Sequence, residues 1–508
     1  MSRKNKDKKK ILFGPILTML ILTFIIMLVS AILSLIGFEG QKTAIVNGTL
    51  ETSLITIKNI FTIDGLKFVI GNAATNFKVF EPLVILIISL IGVGIADASG
   101  LIKAIASPFR KFKIKYIILV TIFIGIISTF LGEYSYIILL PLVAAIYKYL
   151  DRNPILGILT IFIGITLGYG TGIIYNYDDY LLGGLTELAA KIDVDKNYKF
   201  VLTSNIYIMI VSSILLSFVG ASLIEKVLIP KISKYKNNDE DENVISKKAL
   251  YFSNFTLIAL LIGFMYMIVP GFYGSGVLID KEQGSYIAKL FSDTSPLKDG
   301  LPYVVMLILM VCSLVYGKIS GNLKNSNEYS LGLSKSFEGL GYVFVLMFFL
   351  AQMIGILNWT NLGEVIATRL IDFMSTLQFS GIPLIITLFI VVVFISILIP
   401  ATLTKWILMS PIIVPLFMRS NITPDFTQFI FKVADGIGKS FTPLFVYFII
   451  MLGFMQKYNN DDDYKITIFG TMRLILPIIL MIFGLWILIV LGWYIIGLPT
   501  GTGTFPTL

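Results

Sequence analysis

The apolar positions of this 508-residue chain fall in long runs, and the polar positions gather in short segments between them. Most runs are apolar on every side, as a helix surrounded by lipid must be, rather than striped at the 3.6-residue period of a surface helix. The first covers residues 11–38 behind the basic start MSRKNKDKKK. It is too long for the apolar region of a signal peptide and predicts a transmembrane helix. Runs at 82–102, 154–175, 200–224, 250–269, 301–317, 340–357, 436–455 and 467–496 bring the expected total to about nine. Residues 41–78 read as an external segment, with an amphipathic surface helix over 57–70.

Two regions break the pattern. Short arms at 116–131 and 136–149 are separated by Gly132, Glu133 and Ser135, and both outer ends are polar or basic. Arms at 382–399 and 406–418 form a second such pair. Each reads as a re-entrant hairpin, the two entering from opposite faces. A constant offset of 270 residues lays Tyr136 on Trp406, Pro141 on Pro411, Pro154 on Pro424 and Gly168 on Gly438. The expected fold is therefore an all-α polytopic membrane protein, one domain of about nine transmembrane helices plus two re-entrant hairpins in an inverted repeat. Residues 116–179 hold the first hairpin and broken helix, and residues 382–443 the second.

Composition narrows the chemistry. The chain is 56% hydrophobic and only 14% charged, which excludes an ordinary soluble domain of this length. Its net charge of +9 does not point to nucleic acid, because Lys and Arg cluster in segments between apolar runs. The basic tail 1–10, the segment 110–115 and the linker 231–248 are read as cytoplasmic, with the N-terminus inside, the C-terminus outside and the plasma membrane as the location. There is no histidine, and Cys312 is the single cysteine, which removes His-based nucleophile systems, His-ligated metals and disulfides.

Charge inside apolar sequence is costly and marks candidate function. The stretch 402–443 carries Lys405, Lys432, Asp435 and Lys439 among Pro411, Pro415, Pro424 and Pro443. Lys432 precedes Asp435 by one helical turn, and Lys432 and Lys439 share a face if their helix is unbroken. Glu133 lies in the first break, and Asp179 follows the run at 154–175. Asp435, Glu133 and Asp179 are candidate coupling-ion residues; Asp178 reads as a solvated neighbour. Three lysines against Glu133 and Asp435 suggest an excess of positive charge and hence an anionic substrate. Trp406 and Phe441 offer an aromatic wall. The bland alternatives are interface snorkelling for the lysines and a belt position for the tryptophan.

The order of motifs resembles the p-aminobenzoyl-glutamate transporter (AbgT) family. The segments are GVGIADASGLI (92–102), DRNPILG (151–157), DDYLLGGLTELAA (178–190), QMIGILNWTNLG (352–363), KWILMSPIIVPLF (405–417), TQFIFKVADGIGKSFTPL (427–444) and GLPTGTG (497–503). The resemblance implies a homodimeric secondary transporter with no prosthetic group, driven by an H+ or Na+ gradient. It implies either uptake of p-aminobenzoyl-glutamate or efflux of sulfonamides and p-aminobenzoate. By the same resemblance Asp179, Lys405, Trp406, Pro411, Lys432, Asp435 and Pro443 fall on the family's substrate-site positions, and Lys439 stands where the family has Asn. Lys432 replaces an Arg, which removes a bidentate fork for a carboxylate. The first-hairpin pattern departs too, reading Phe130-Leu-Gly-Glu133. A channel and a membrane-embedded enzyme are the alternatives of other classes; the enzyme lacks any metal cluster, phosphate loop or soluble catalytic domain in the sequence.

Overall fold

The computed structural model describes residues 13–46, 48–173, 175–232, 235, 243–459 and 465–508. The tail 1–10 and half of the linker 231–248 lie outside the described residues.

Helix α1 (Pro15–Leu35) opens the described chain, with Pro15 at a position where a missing N–H costs nothing. A hairpin follows, β1 (Glu39–Val46) paired antiparallel with β2 (Thr49–Thr56). This strand pair is the one sheet among the described residues, in the segment expected to be external. The surface helix expected over 57–70 starts later, at α2 (Ile63–Gly71), because Thr62 caps it through the N–H of Gly65. Then come α3 (Ala73–Lys78), α4 (Glu81–Ala98), α5 (Leu101–Ala106), α6 (Ile114–Ser128), α7 (Tyr134–Tyr149), α8 (Pro154–Gly168), α9 (Tyr177–Asp193) and α10 (Ile206–Leu223). The middle of the chain forms α11 (Lys247–Ile268), α12 (Tyr286–Phe291), α13 (Pro296–Ser320), α14 (Ser326–Ser334), α15 (Gly341–Trp359) and α16 (Leu362–Thr376). The last five are α17 (Gly381–Leu398), α18 (Thr402–Arg419), α19 (Pro424–Lys439), α20 (Val446–Lys457) and α21 (Ile468–Ile496).

Nine helical segments among the described residues are long and apolar enough to cross a membrane: α1, α4, α6 with the turn after it, α10 with its continuation to Lys231, α11, α13, α15, α17 and α21. The number agrees with expectation and the membership does not. The runs at 154–175 and 436–455 give shorter helices, while the first arms α6 and α17 reach full length. The causes are local. Helix α8 ends at Gly168, before a Gly-rich stretch. The run at 436–455 is split: its first residues finish α19, and Pro443 lies in the turn before α20.

Two helices form the centre. Every residue of α8 and every residue of α19 is buried. Helix α8 packs against α6 and α7, and α19 packs against α17, α18, α9, α21 and α8. Small residues permit the approach: Gly125 of α6 and Gly164 of α8 face each other so closely that a Cβ on either would lie under 3.0 Å from backbone.

Between α6 and α7 the chain breaks at Gly132, whose φ of 61° suits glycine. Between α17 and α18 it breaks at Pro400, in the three residues separating Leu398 from Thr402. Carbonyls freed at these breaks are taken up by side chains. Ser135 donates to Ser128 O at 2.5 Å, Asn176 Nδ2 to Thr129 O at 2.7 Å, Thr442 to Ile397 O at 2.7 Å and Lys405 to Pro400 O at 3.3 Å.

Candidate functional site

Helix α19 carries its charged residues and Gln428 on one stripe. Asp425, Gln428, Lys432, Asp435 and Lys439 recur at spacings of three and four, so they stack along one side of a wholly buried helix. Each meets a partner from a different part of the chain. Asp425 accepts from the Tyr198 hydroxyl at 2.7 Å. Gln428 Oε1 accepts from Thr186 of α9 at 2.6 Å, and the Thr186 oxygen accepts in turn from the indole N–H of Trp406 at 3.0 Å.

Three ion pairs follow along the stripe, two buried on both sides and the third with its carboxylate, Glu133, partly exposed. Lys432 pairs with Asp179 at the start of α9, both under 10% exposed. Asp179 is fixed first by a capping box, in which Asn176 Oδ1 accepts from the Asp179 N–H while Asp179 Oδ2 accepts from the Asn176 N–H. Asp435 pairs with Lys405 of α18, and neither side chain is exposed. Its remaining lone pairs accept from Ser396 at 2.7 Å and Thr402 at 2.6 Å. Lys439 reaches Glu133 in the first break at 2.6 Å, Thr402 at the second break, and Asp435 Oδ2 at 3.5 Å. Its ammonium also sits 4.2 Å from the centre of the Tyr169 ring. One ammonium thus ties both chain breaks to α19. Buried charges stand the loss of hydration only when paired and hydrogen-bonded, and these are both.

The expected surplus of positive charge is not found. Lys405, Lys432 and Lys439 each have a carboxylate, and Asp178 is a fourth carboxylate in the same cluster. Asp435 takes its ammonium from Lys405 and Lys439, not from Lys432 one turn earlier, because Lys432 points toward α9. Trp406 is fully buried and packs on Phe431 with ring centres 4.4 Å apart. Pro411 is buried within α18, and Pro443 is half-buried in the turn after α19.

Two cavities adjoin the cluster. One of about 440 Å³ is lined by the second break (Ile399, Pro400, Ala401), Thr404, Asn358, Asn361 and Glu364. The other, about 310 Å³, is lined by the first break (Leu131, Gly132), Tyr134, Tyr177, Asp178, Phe291 and Lys298. Pro82, Glu133 and Tyr447 stand in both walls. Both volumes suit a small organic molecule. Of the candidate residues named from sequence, Glu133 lines these two cavities, while Asp179 and Lys432 line a separate and much smaller one. Sequence reasoning passed over Asp425, Gln428, Thr186, Tyr198, Ser396, Tyr169 and the cavity role of Asp178. The three-four spacing of α19 was a signal for the first two; the others are brought in by tertiary contact alone.

A polytopic helical protein with charge buried at two broken helices beside solute-sized cavities has the build of a secondary transporter. Comparison with known proteins agrees. Residues 9–508 match the family described as "AbgT putative transporter family". The chain belongs to the AbgT family, whose members named below are transporters and not enzymes. It is 27% identical to the p-aminobenzoyl-glutamate transport protein of Escherichia coli K12 over 97% of this chain and 94% of that one. The structure of MtrF from Neisseria gonorrhoeae, described within a class of antimetabolite efflux pumps, aligns with a TM-score of 0.50 at 27% identity, covering 97% of this chain and 98% of that chain. The YdaH transporter of Alcanivorax borkumensis aligns with a TM-score of 0.49 at 26% identity, covering 96% of this chain and all of the other.

Proposed function

We propose that this chain is a secondary transporter of the plasma membrane that couples an ion gradient, most simply of protons, to movement of a small aromatic organic anion of the p-aminobenzoyl-glutamate type. One observation carries the reading: two ammonium–carboxylate pairs, Lys405–Asp435 and Lys439–Glu133, tie the two chain breaks to α19 beside cavities of solute size, and a third, Lys432–Asp179, lies buried farther along the same helix. A paired lysine has no claim on a substrate. Protonate its carboxylate, and the same lysine becomes an unpaired buried cation that a substrate carboxylate relieves. Proton and organic anion are thereby linked through one pair. Lys432 in place of Arg presents a point charge, so the glutamate half of the solute is held with less geometric demand.

The re-entrant hairpins and the inverted repeat belong to the same proposal. Helices α6, α7 and α8, moved by 270 residues, fall within three residues of α17, α18 and α19 at every boundary. The packing repeats as well: a Cβ on Gly168 would strike Ile126, and one on Gly438 would strike Ser396, the residue 270 places after Ile126. A cytoplasmic N-terminus and a homodimeric assembly complete the reading.

Purified protein in liposomes, with labelled p-aminobenzoyl-glutamate outside and an imposed pH gradient, tests it. Accumulation above the external concentration is the expected result. Downhill equilibration alone would make the protein a channel, chemical conversion of the label would make it an enzyme, and no movement in either direction would remove this solute class.

A further inference from the structure

Among the described residues no ammonium pairs with Asp178, yet it touches the cluster. Its Oδ2 lies 3.3 Å from the Tyr169 hydroxyl. That hydroxyl lies 2.8 Å from Thr402 Oγ1, and Thr402 Oγ1 lies 2.6 Å from Asp435 Oδ2. An unbroken row of oxygens therefore runs from a carboxylate in the wall of the 310 Å³ cavity to the fully buried Asp435.

With Asp178 ionised, the two hydroxyls supply two protons and Tyr169 donates to Asp178 at 3.3 Å; with Asp178 protonated, three protons serve the three oxygen–oxygen contacts. The Thr402 proton goes to Asp435, an ionised carboxylate that can only accept, and the Thr402 oxygen accepts in turn from Lys439. Once Asp178 is protonated, the Tyr169 proton turns to Thr402 at 2.8 Å, and the row then runs from Asp178 to Asp435. Asp435 is the wrong carrier in this state, since it accepts from Lys405, Ser396 and Thr402 together.

From this geometry we infer that Asp178 is the proton-loading group of the transporter and that Tyr169 and Thr402 relay its proton to Asp435. The inference rests on the proton-coupled reading above and names its entry point. In the transfer, the Asp178 proton moves to the Tyr169 oxygen, the phenol proton moves to Thr402 Oγ1, and the Thr402 proton moves to Asp435 Oδ2. Three O–H bonds break and three form. No tyrosinate arises, Asp178 is left ionised, and Asp435 becomes neutral. A neutral Asp435 no longer holds Lys405, and its pull on Lys439 at 3.5 Å ends, which loosens the tie between the two breaks.

The surroundings of Asp178 suit a group that exchanges protons. Burial first, then Glu133 and Asp179, oppose its ionisation, while Lys439 and Lys432 favour it from α19. Across the cavity stand Glu81, which accepts from the Tyr134 hydroxyl at 3.1 Å, and Lys298, which is paired with Asp293 at 2.8 Å. The hydroxyl of Tyr177, in the same wall, donates to Asp293 at 2.6 Å.

Infrared difference spectra of the purified protein during a pH titration test the loading step without any substrate. The parent is expected to show the carbonyl stretch of a neutral carboxylic acid disappearing as pH rises. Asp178→Asn should lack that band, Asp178→Glu should restore one at a shifted position, and Asp179→Asn should keep the parent's. In liposomes, Tyr169→Phe should retain the band while proton-driven accumulation of p-aminobenzoyl-glutamate falls by about tenfold or more. A parent band that persists in Asp178→Asn, or full accumulation by Tyr169→Phe, overturns the relay. If the parent does not move this solute, the infrared arm still decides the assignment of Asp178, and the failure belongs to the substrate class. Thermal unfolding of each variant separates loss of the proton site from loss of the fold, with Asp178→Glu as the folded control.

Discussion

At the scale of residues, the protein stakes its interior on matched charges. The Lys432–Asp179 pair joins α19 to α9 across 253 residues of chain. Removing one member leaves the other buried and unpaired, which costs about 3–5 kcal/mol, whereas removing both is often close to neutral. Lys432→Met is therefore expected to lower the thermal unfolding temperature sharply, and Lys432→Met with Asp179→Asn to recover most of the loss. Losses that simply add in the double variant would show that the two side chains do not form a unit. The charged residues themselves were legible in the sequence, because lysine and aspartate stand out in apolar surroundings. Their pairing was not. Three residues of separation on one helix suggested Lys432 with Asp435, yet the fold turns Lys432 toward Asp179 and gives Asp435 to Lys405. Partner choice depends on which helices meet, and one chain's sequence carries only weak information about that.

At the scale of elements, the breaks and the glycines set the architecture. Both interruptions were legible from Gly132 and Pro400, since each residue ends a helix for a known reason. The boundary between α19 and α20 was missed because residues 436–455 look apolar apart from the short cluster Lys439, Ser440, Thr442 and Pro443. The polar stripe of α19 was present as a three-four spacing and was read only in part. The hairpin of β1 and β2 gave no clear signal, its residues mixing polar and apolar types. Close helix contact yields a direct test. A Cβ on Gly438 would lie 2.5 Å from Val393 O and 2.6 Å from Ser396 Cβ, so α17 must shift to admit it. Overpacking of this kind costs about 1–3 kcal/mol. Gly438→Ala should lower the unfolding temperature, while Gly484→Ala on α21, with nothing within 4 Å, should not. Equal stability of both variants would mean that α17 and α19 pack less closely than described.

At the scale of the whole molecule, the account joins three things: two chain breaks, a charged cluster behind them and two cavities that share Glu133. Family membership was legible because seven short motifs occur in order along nearly the entire chain. The cavities were not, since they are spaces between elements distant in sequence. The central claim is that the buried charge cluster converts an ion gradient into solute movement, and Asp435 is its hub, bound by Lys405, Ser396 and Thr402 and approached by Lys439. Asp435→Asn keeps the shape of the side chain and removes the charge. The most direct measurement is gradient-driven accumulation of p-aminobenzoyl-glutamate by this variant in liposomes, beside the parent at equal reconstituted amounts. The account predicts that the parent accumulates the solute and that Asp435→Asn, monodisperse and folded, does not rise above equilibration. Accumulation by Asp435→Asn to the parent's level would contradict it.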